Sequence, residues 1–164
     1  MNHKSQFLQT LSTKGFLHQA THLEDLDELM DKEKIIAYIG FDCTAQSLHV
    51  GSLMQIMILR LLQKCGHQPL VLIGDGTTKV GDPSGKDKER QLLNVQQIKK
   101  NADGIQKTLE KFDLSKENPN FKPFKFIKNS HWLEGLNYID FLRDFGKAFS
   151  VNKMLTMDSV KLRL

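Results

Sequence analysis

Between Ile35 and Gly66 the hydrophobic period of the chain changes once, and most of the predicted fold follows from that change. Ile35–Gly40 (IIAYIG) is a run of mostly β-preferring apolar residues and reads as a buried strand. The next seven residues, Phe41 to Ser47, carry one aspartate and two hydroxyls and read as a loop. Leu53, Ile56, Met57, Leu61 and Leu62 then recur at the steps of one helix face, which Gly66 stops. Pro69–Gly74 (PLVLIG) reads as a second buried strand. Strand, helix and strand joined by short connections form a βαβ unit, so the strands should be parallel and the crossover right-handed. The predicted class is α/β, with a Rossmann-like parallel sheet.

The flanks add helices. Phe7, Leu8 and Leu11 make a short apolar face ended by Gly15, and Thr21 with Glu24 forms a capping-box pattern ahead of Leu23, Leu26, Leu29 and Met30. Residues 1–34 are therefore expected to be two helices packed on the sheet. After the second strand, Asp75 to Lys86 reads as a glycine-rich loop whose backbone could approach a ligand closely. It is neither a phosphate loop nor a dinucleotide fingerprint. Gly81 to Lys86 is one residue too short for the former, with Asp87 where Ser or Thr is needed, and the glycine spacing misses the latter. Asn94 with Gln97 should open a long helix bearing Ile98, Ala102, Ile105, Leu109 and Phe112 on one side, with a lysine- and amide-rich side toward solvent. Leu114–Pro123 reads as a connection and Phe124–Lys128 as a half-exposed strand. Trp132, Tyr138, Phe141, Leu142 and Phe145 form a helical apolar group that is either core or an interface. Ser159–Leu164 begins a further helix with no cap.

Composition narrows the class without naming a chemistry. The 164 residues, 40% hydrophobic and 26% charged, suit a soluble globular domain. Lys and Arg exceed Asp and Glu by four, 23 against 19, and the excess is dispersed, which permits RNA contact without requiring it. Cys43 and Cys65 are not spaced as a metal or redox pair. No run approaches the roughly 18 apolar residues of a membrane span, and no signal-peptide pattern opens the chain, so a cytoplasmic protein is expected.

The candidate chemistry lies where the first strand hands over to the helix. A helix N-terminus presents free N–H groups and a positive dipole end at the strand's C-terminal edge, where open α/β sheets bind ligands. His49, Gly51 and Ser52 fall in what should be the first turn, with His49 and Ser52 on one side. The segment YIGFDCTAQSLHVGSL, followed some thirty residues on by GDPSGKDKER, resembles the first half of the catalytic domain of bacterial-type tyrosyl-tRNA synthetases, which are class I aminoacyl-tRNA synthetases. The resemblance covers essentially the whole chain and rests on both motifs at this spacing.

That resemblance implies the first half of a class I nucleotide-binding fold. Residues 1–34 would be the covering helices, 35–94 the first half of the Rossmann-like domain, and 95–164 its remainder with the start of a helical connective insertion that helps make a dimer contact. It implies ATP-binding by Gly40, Asp42, Thr44, His49, Gly51 and Ser52, with His49 and Ser52 as catalytic donors to the triphosphate. Lys86 and Arg90, four apart at a helix start, would clamp pyrophosphate as further catalytic groups; on a bare surface helix they would read as a solvated basic face. Tyr38 would hydrogen-bond the phenol of L-tyrosine from the end of the first strand, and Asp82 would hold its ammonium. The implied activity is tyrosine–tRNA ligation: ATP-dependent formation of tyrosyl-adenylate and transfer to tRNA(Tyr). Mg2+ would accompany ATP, with no tightly bound cofactor, no metal site and neither DNA nor a membrane as partner. Two departures stand out: Ser52 replaces the second histidine of the family's His-Ile-Gly-His motif, and Cys43 replaces a proline. The second half of the fold, the lysine loop and the tRNA-binding domain are missing from these residues. The chain is therefore expected to be a fragment inactive by itself, in a homodimeric parent. The alternative is a truncated, catalytically inactive module that binds RNA or a partner chain.

Overall fold

The computed structural model describes residues 3–80, 93–157 and 160. Three parallel strands form one sheet in the order β1 (Ile36–Asp42), β2 (Gln68–Gly74), β3 (Lys125–Lys128). β1 begins one residue later and runs two residues further than its apolar run suggests. Phe41 and Asp42 still have ladder partners in Ile73 and Gly74, so the strand ends where the pairing ends. The expected parallel βαβ unit is present, with α3 (Leu53–Lys64) between β1 and β2.

Alternate residues explain the layering. Ala37, Ile39 and Phe41 of β1 lie opposite Pro69, Val71 and Ile73 of β2, and this sheet face meets the core. Phe7, Leu8 and Leu11 of α1 (Gln6–Thr13), Ile56, Leu59 and Leu62 of α3, and Ile98, Ala102, Ile105 and Leu109 of α5 (Val95–Leu109) belong to the same buried cluster. The opposite face of β1 carries Ile36, Tyr38, Gly40 and Asp42, all exposed. Gly15 and Gly66 take φ of 70° and 78°, the left-handed turn that ends each preceding helix.

Local chemistry moves several boundaries. α2 (Leu23–Lys32) starts from His22 in the left-handed region with no side-chain cap, so Thr21 and Glu24 form no capping box. Instead, Asp27 ties α2 to the start of α1 by accepting from Lys4 N, Ser5 N and Ser5 Oγ. Burial pushes that carboxyl's pKa up, but these bonds and the nearby His3 outweigh it and hold it down at about 2. Asp75–Val80 is a short helix, α4, rather than a loop. Thr78 Oγ1 donates to Gly74 O, and both Asp75 and Asn129 accept from Gly76 N, so this turn's polar groups are satisfied internally. A Cβ on Gly76 would stand 3.1 Å from the Ser130 backbone, so this glycine serves a close approach within the protein.

α5 opens as expected, with Asn94 Oδ1 accepting from Gln97 N at 2.8 Å. It ends at Leu109, and Phe112 falls in a following 3-10 turn. β3 lacks Phe124, which is buried just before it. Beyond β3 lie α6 (Ser130–Leu133), α7 (Tyr138–Phe145) and α8 (Val151–Leu155), none with a buried residue. The expected helix over Ser159–Leu164 falls, apart from Val160, outside the described residues.

Candidate active site

The C-terminal end of β1 opens onto a cleft of about 270 Å³. Gly40 and Asp42 reach it from the strand, Thr44 and Ser47 from the loop, and His49 and Ser52 from the turn before α3. The loop exists because the ladder stops at Asp42 opposite Gly74 while the next residue, Cys43, is drawn into the core at 0% exposure. Burial, with Asp75 and Asp42 nearby, pushes the Cys43 thiol up to about 11, so it is protonated near neutral pH and serves packing rather than nucleophilic chemistry. A Cβ on Gly74 would lie 2.8 Å from Asp42 Oδ1, so the missing side chain there leaves room for the Asp42 carboxylate.

His49 is extended, with φ −94° and ψ 172°, and caps a 3-10 turn, Val50–Ser52. α3 begins only at Leu53, so His49 and Ser52 precede the α-helix instead of occupying its first turn. His49 Nδ1 accepts from Gly51 N at 3.0 Å. That bond uses the Nδ1 lone pair, which assigns the neutral ring's proton to Nε2 and leaves an N–H donor on the ring's other edge. A Cβ at Gly51 would meet His49 Cε1 at 2.7 Å, so the glycine is what lets the ring fold over the turn. Ser52 is buried, yet among the described residues its hydroxyl donates to no protein acceptor. The exposed Thr44 hydroxyl makes no bond there either. Ile56, Leu59 and Leu62 anchor α3 in the core, so the positive end of its dipole is fixed at the cleft.

The predicted residues thus divide into three groups. Gly40, Asp42, Thr44, His49 and Ser52 come together around the cleft, with Gly51 shaping the His49 ring. Tyr38 does not line it and lies mid-strand rather than at the strand end. It shares the uncovered face of β1 with Gly40 and Asp42, roughly 7 Å from Gly40 along the strand. At 67% exposure its hydroxyl is not buried by any described residue. Asp82, Lys86 and Arg90, with the whole Gly-Asp-Pro-Ser-Gly-Lys motif, lie outside the described residues.

Sequence reasoning missed Ser47, Gln55 and Ile105 as cleft residues. It also read the amide-rich side of α5 as solvated without setting Asn101 apart, whereas Asn101 is buried at 2% exposure and its Nδ2 donates to Cys43 O at 2.8 Å. The missed signal was positional: Asn101 lies three residues after Ile98 and four before Ile105, inside the apolar stripe.

The family model for tRNA synthetases class I (W and Y) matches residues 30–164. The chain belongs to this class I synthetase family. The tyrosine–tRNA ligase of Ehrlichia ruminantium (strain Gardel) is 60% identical over 164 residues, covering 100% of this chain and 39% of the relative. That of Pelagibacter ubique (strain HTCC1062) is 59% identical over 160 residues, 98% of this chain and 39% of its own. A crystal structure of a C-terminally truncated mitochondrial tyrosyl-tRNA synthetase from Aspergillus nidulans matches at a TM-score of 0.79 and 28% identity, over 96% of this chain and 46% of that one. The chain therefore spans about two fifths of the length of the curated relatives it matches. For this synthetase chain, no helix among the described residues is long and apolar enough to cross a membrane, and no cluster there could hold a metal ion.

Proposed function

We propose that the protein carrying these residues is a tyrosine–tRNA ligase, and that the cleft beyond β1 receives the polyphosphate of ATP. The carboxylate of L-tyrosine attacks the α-phosphorus of ATP, pyrophosphate leaves, and the tyrosyl group then passes to tRNA(Tyr). No protein nucleophile is needed, so catalysis is positioning and charge stabilisation. His49 Nε2–H, the Ser52 hydroxyl and the Thr44 hydroxyl donate to phosphate oxygens, and Mg2+ enters with ATP as part of the substrate. Lys86 and Arg90 hold the departing pyrophosphate. Tyr38 reads the substrate phenol and Asp82 its ammonium. Phenylalanine is rejected because it leaves a polar group of the pocket unpaired, an effect for which tyrosyl-tRNA synthetases are themselves a known example. We place the protein in the cytoplasm, with residues 35–94 as the first catalytic half. The uncovered apolar side of α7 and α8 is assigned to a second copy in a homodimer.

The observation that carries this reading is the convergence of His49, Ser52 and Thr44 on one cleft at the N-terminal end of α3. A helix N-terminus attracts phosphate even without side chains, so the location and the donors agree. ATP–pyrophosphate exchange with tyrosine, with tryptophan and with no amino acid tests it. Exchange in the complete protein that needs tyrosine is the expected result; exchange driven by tryptophan, or none with either, overturns the assignment.

A further inference from the structure

We infer that Asn101 and Gly104 of α5 are positioning residues that seat the loop from which Thr44, Ser47 and His49 enter the cleft. The inference rests on the ATP-handling role proposed for that cleft. Past Asp42 the loop has lost its ladder, and among the described residues no backbone N–H of residues 44–49 donates to the protein. Its conformation must come from its attachments. Cys43, the first loop residue, is gripped on both sides of its Cα. Its N–H donates to Thr78 Oγ1 at 2.9 Å, and its carbonyl accepts from Asn101 Nδ2 at 2.8 Å. Asn101 is itself fixed, because its Oδ1 accepts from Gln97 Nε2 at 2.8 Å. One turn on, helix and loop backbones meet with nothing between them. A Cβ on Gly104 would stand 2.3 Å from Gln46 O and 3.2 Å from its carbonyl carbon. Leu48, partly buried against the core, is a further anchor. Ile105, beside Gly104, lines the cleft directly. α5 is thus the bench on which the loop rests.

Two substitutions separate positioning from folding. Gly104→Ala favours the helix, since alanine is the better helix former, while its methyl drives the Gln46 carbonyl away. Asn101→Asp keeps the size of the side chain and removes the donor that Cys43 O uses. In tyrosine-dependent pyrophosphate exchange by the complete protein, each should raise KM for ATP at least about tenfold while KM for tyrosine stays within about twofold, the effect expected of a loop displaced by about an ångström. Cys43, closed in the core, supplies a readout that needs no turnover: both variants should speed its alkylation by iodoacetamide, followed by peptide mass, at unchanged far-ultraviolet circular dichroism. An active wild type whose variants keep their KM for ATP overturns the inference, even with Cys43 opened. A wild type that exchanges nothing refutes the ATP reading; Cys43 alkylation that stays slow in the variants then refutes the seating as well, and faster alkylation upholds it.

Discussion

α5 and α7 read alike in the sequence and behave oppositely in the fold. Both are amphipathic helices opened by an asparagine whose side chain accepts from backbone N–H groups in the first turn. α5 buries Ile98, Asn101, Ala102, Ile105 and Leu109. α7 buries nothing: Tyr138, Ile139, Leu142 and Phe145 stay exposed, and the rings of Phe141 and Phe145 lie against each other at a centroid distance of 5.4 Å. Periodicity announces that a helix has an apolar side. It does not say what covers that side, because the covering surface belongs to other parts of the chain or to another molecule. The difference also separates the two helices in the fold: Ile105 of α5 lines the cleft, while the apolar side of α7 stays uncovered among the described residues.

The largest effect that could break this contrast is in α5. Leu109 is fully buried, so Leu109→Ala should cost about 2–5 kcal/mol in a urea titration, through lost transfer energy and an unfilled cavity. A cost below about half a kcal/mol would mean that α5 is no better packed than α7. Phe145→Ala in α7 should change the stability of the chain itself by no more than about 0.5 kcal/mol, as exposed substitutions do. In the complete protein the same change should weaken self-association at least about tenfold, or about 1.4 kcal/mol, by sedimentation. An unaltered monomer–dimer equilibrium would remove a second copy as the covering partner.

The smallest effect concerns pH. His67 packs edge-on against Phe7 of α1, with ring centroids 6.2 Å apart, and its Nδ1 accepts from Ile35 N. Burial, and then the charge of Lys34, hold its pKa below the ordinary histidine value. The folded state therefore binds this proton less readily than the unfolded chain, so stability is complete above the ordinary histidine pKa and declines as pH falls below it. Urea midpoints should drop between pH 7 and pH 5.5, and His67→Gln should flatten that slope. An unchanged slope would assign it to other groups.

Much of this was legible in advance, for a physical reason in each case. The βαβ unit could be read because an apolar run, a short loop and a helical period are local signals. Gly40, Asp42, Thr44, His49 and Ser52 could be placed at the cleft because a strand end facing a helix start fixes where ligands meet an α/β sheet, and the class I motif singled them out. The supports could not. Asn101 looked like one more solvent amide until its acceptor, 58 residues earlier, came into contact. The Asp75–Val80 helix was hidden because Gly76 and two threonines argue against a helix. Asn129 and Ser130, contributed from beyond β3, complete its hydrogen bonds: Asn129 accepts from Gly76 N and donates to Thr77 Oγ1, and Ser130 Oγ donates to Asp75. The exposure of Tyr38 was illegible for a third reason: what covers a sheet face belongs to other parts of the chain, and no described residue covers this face of β1.

The most direct test is tyrosine-dependent ATP–pyrophosphate exchange by the complete protein with His49→Ala. If the imidazole donates to the polyphosphate from its cap position, the rate should fall at least about tenfold, and up to the 100-fold or more typical of losing one preorganised donor, with tyrosine affinity little changed. An undiminished exchange rate would contradict the account, for it would leave the cleft at the end of β1 with no part in the chemistry.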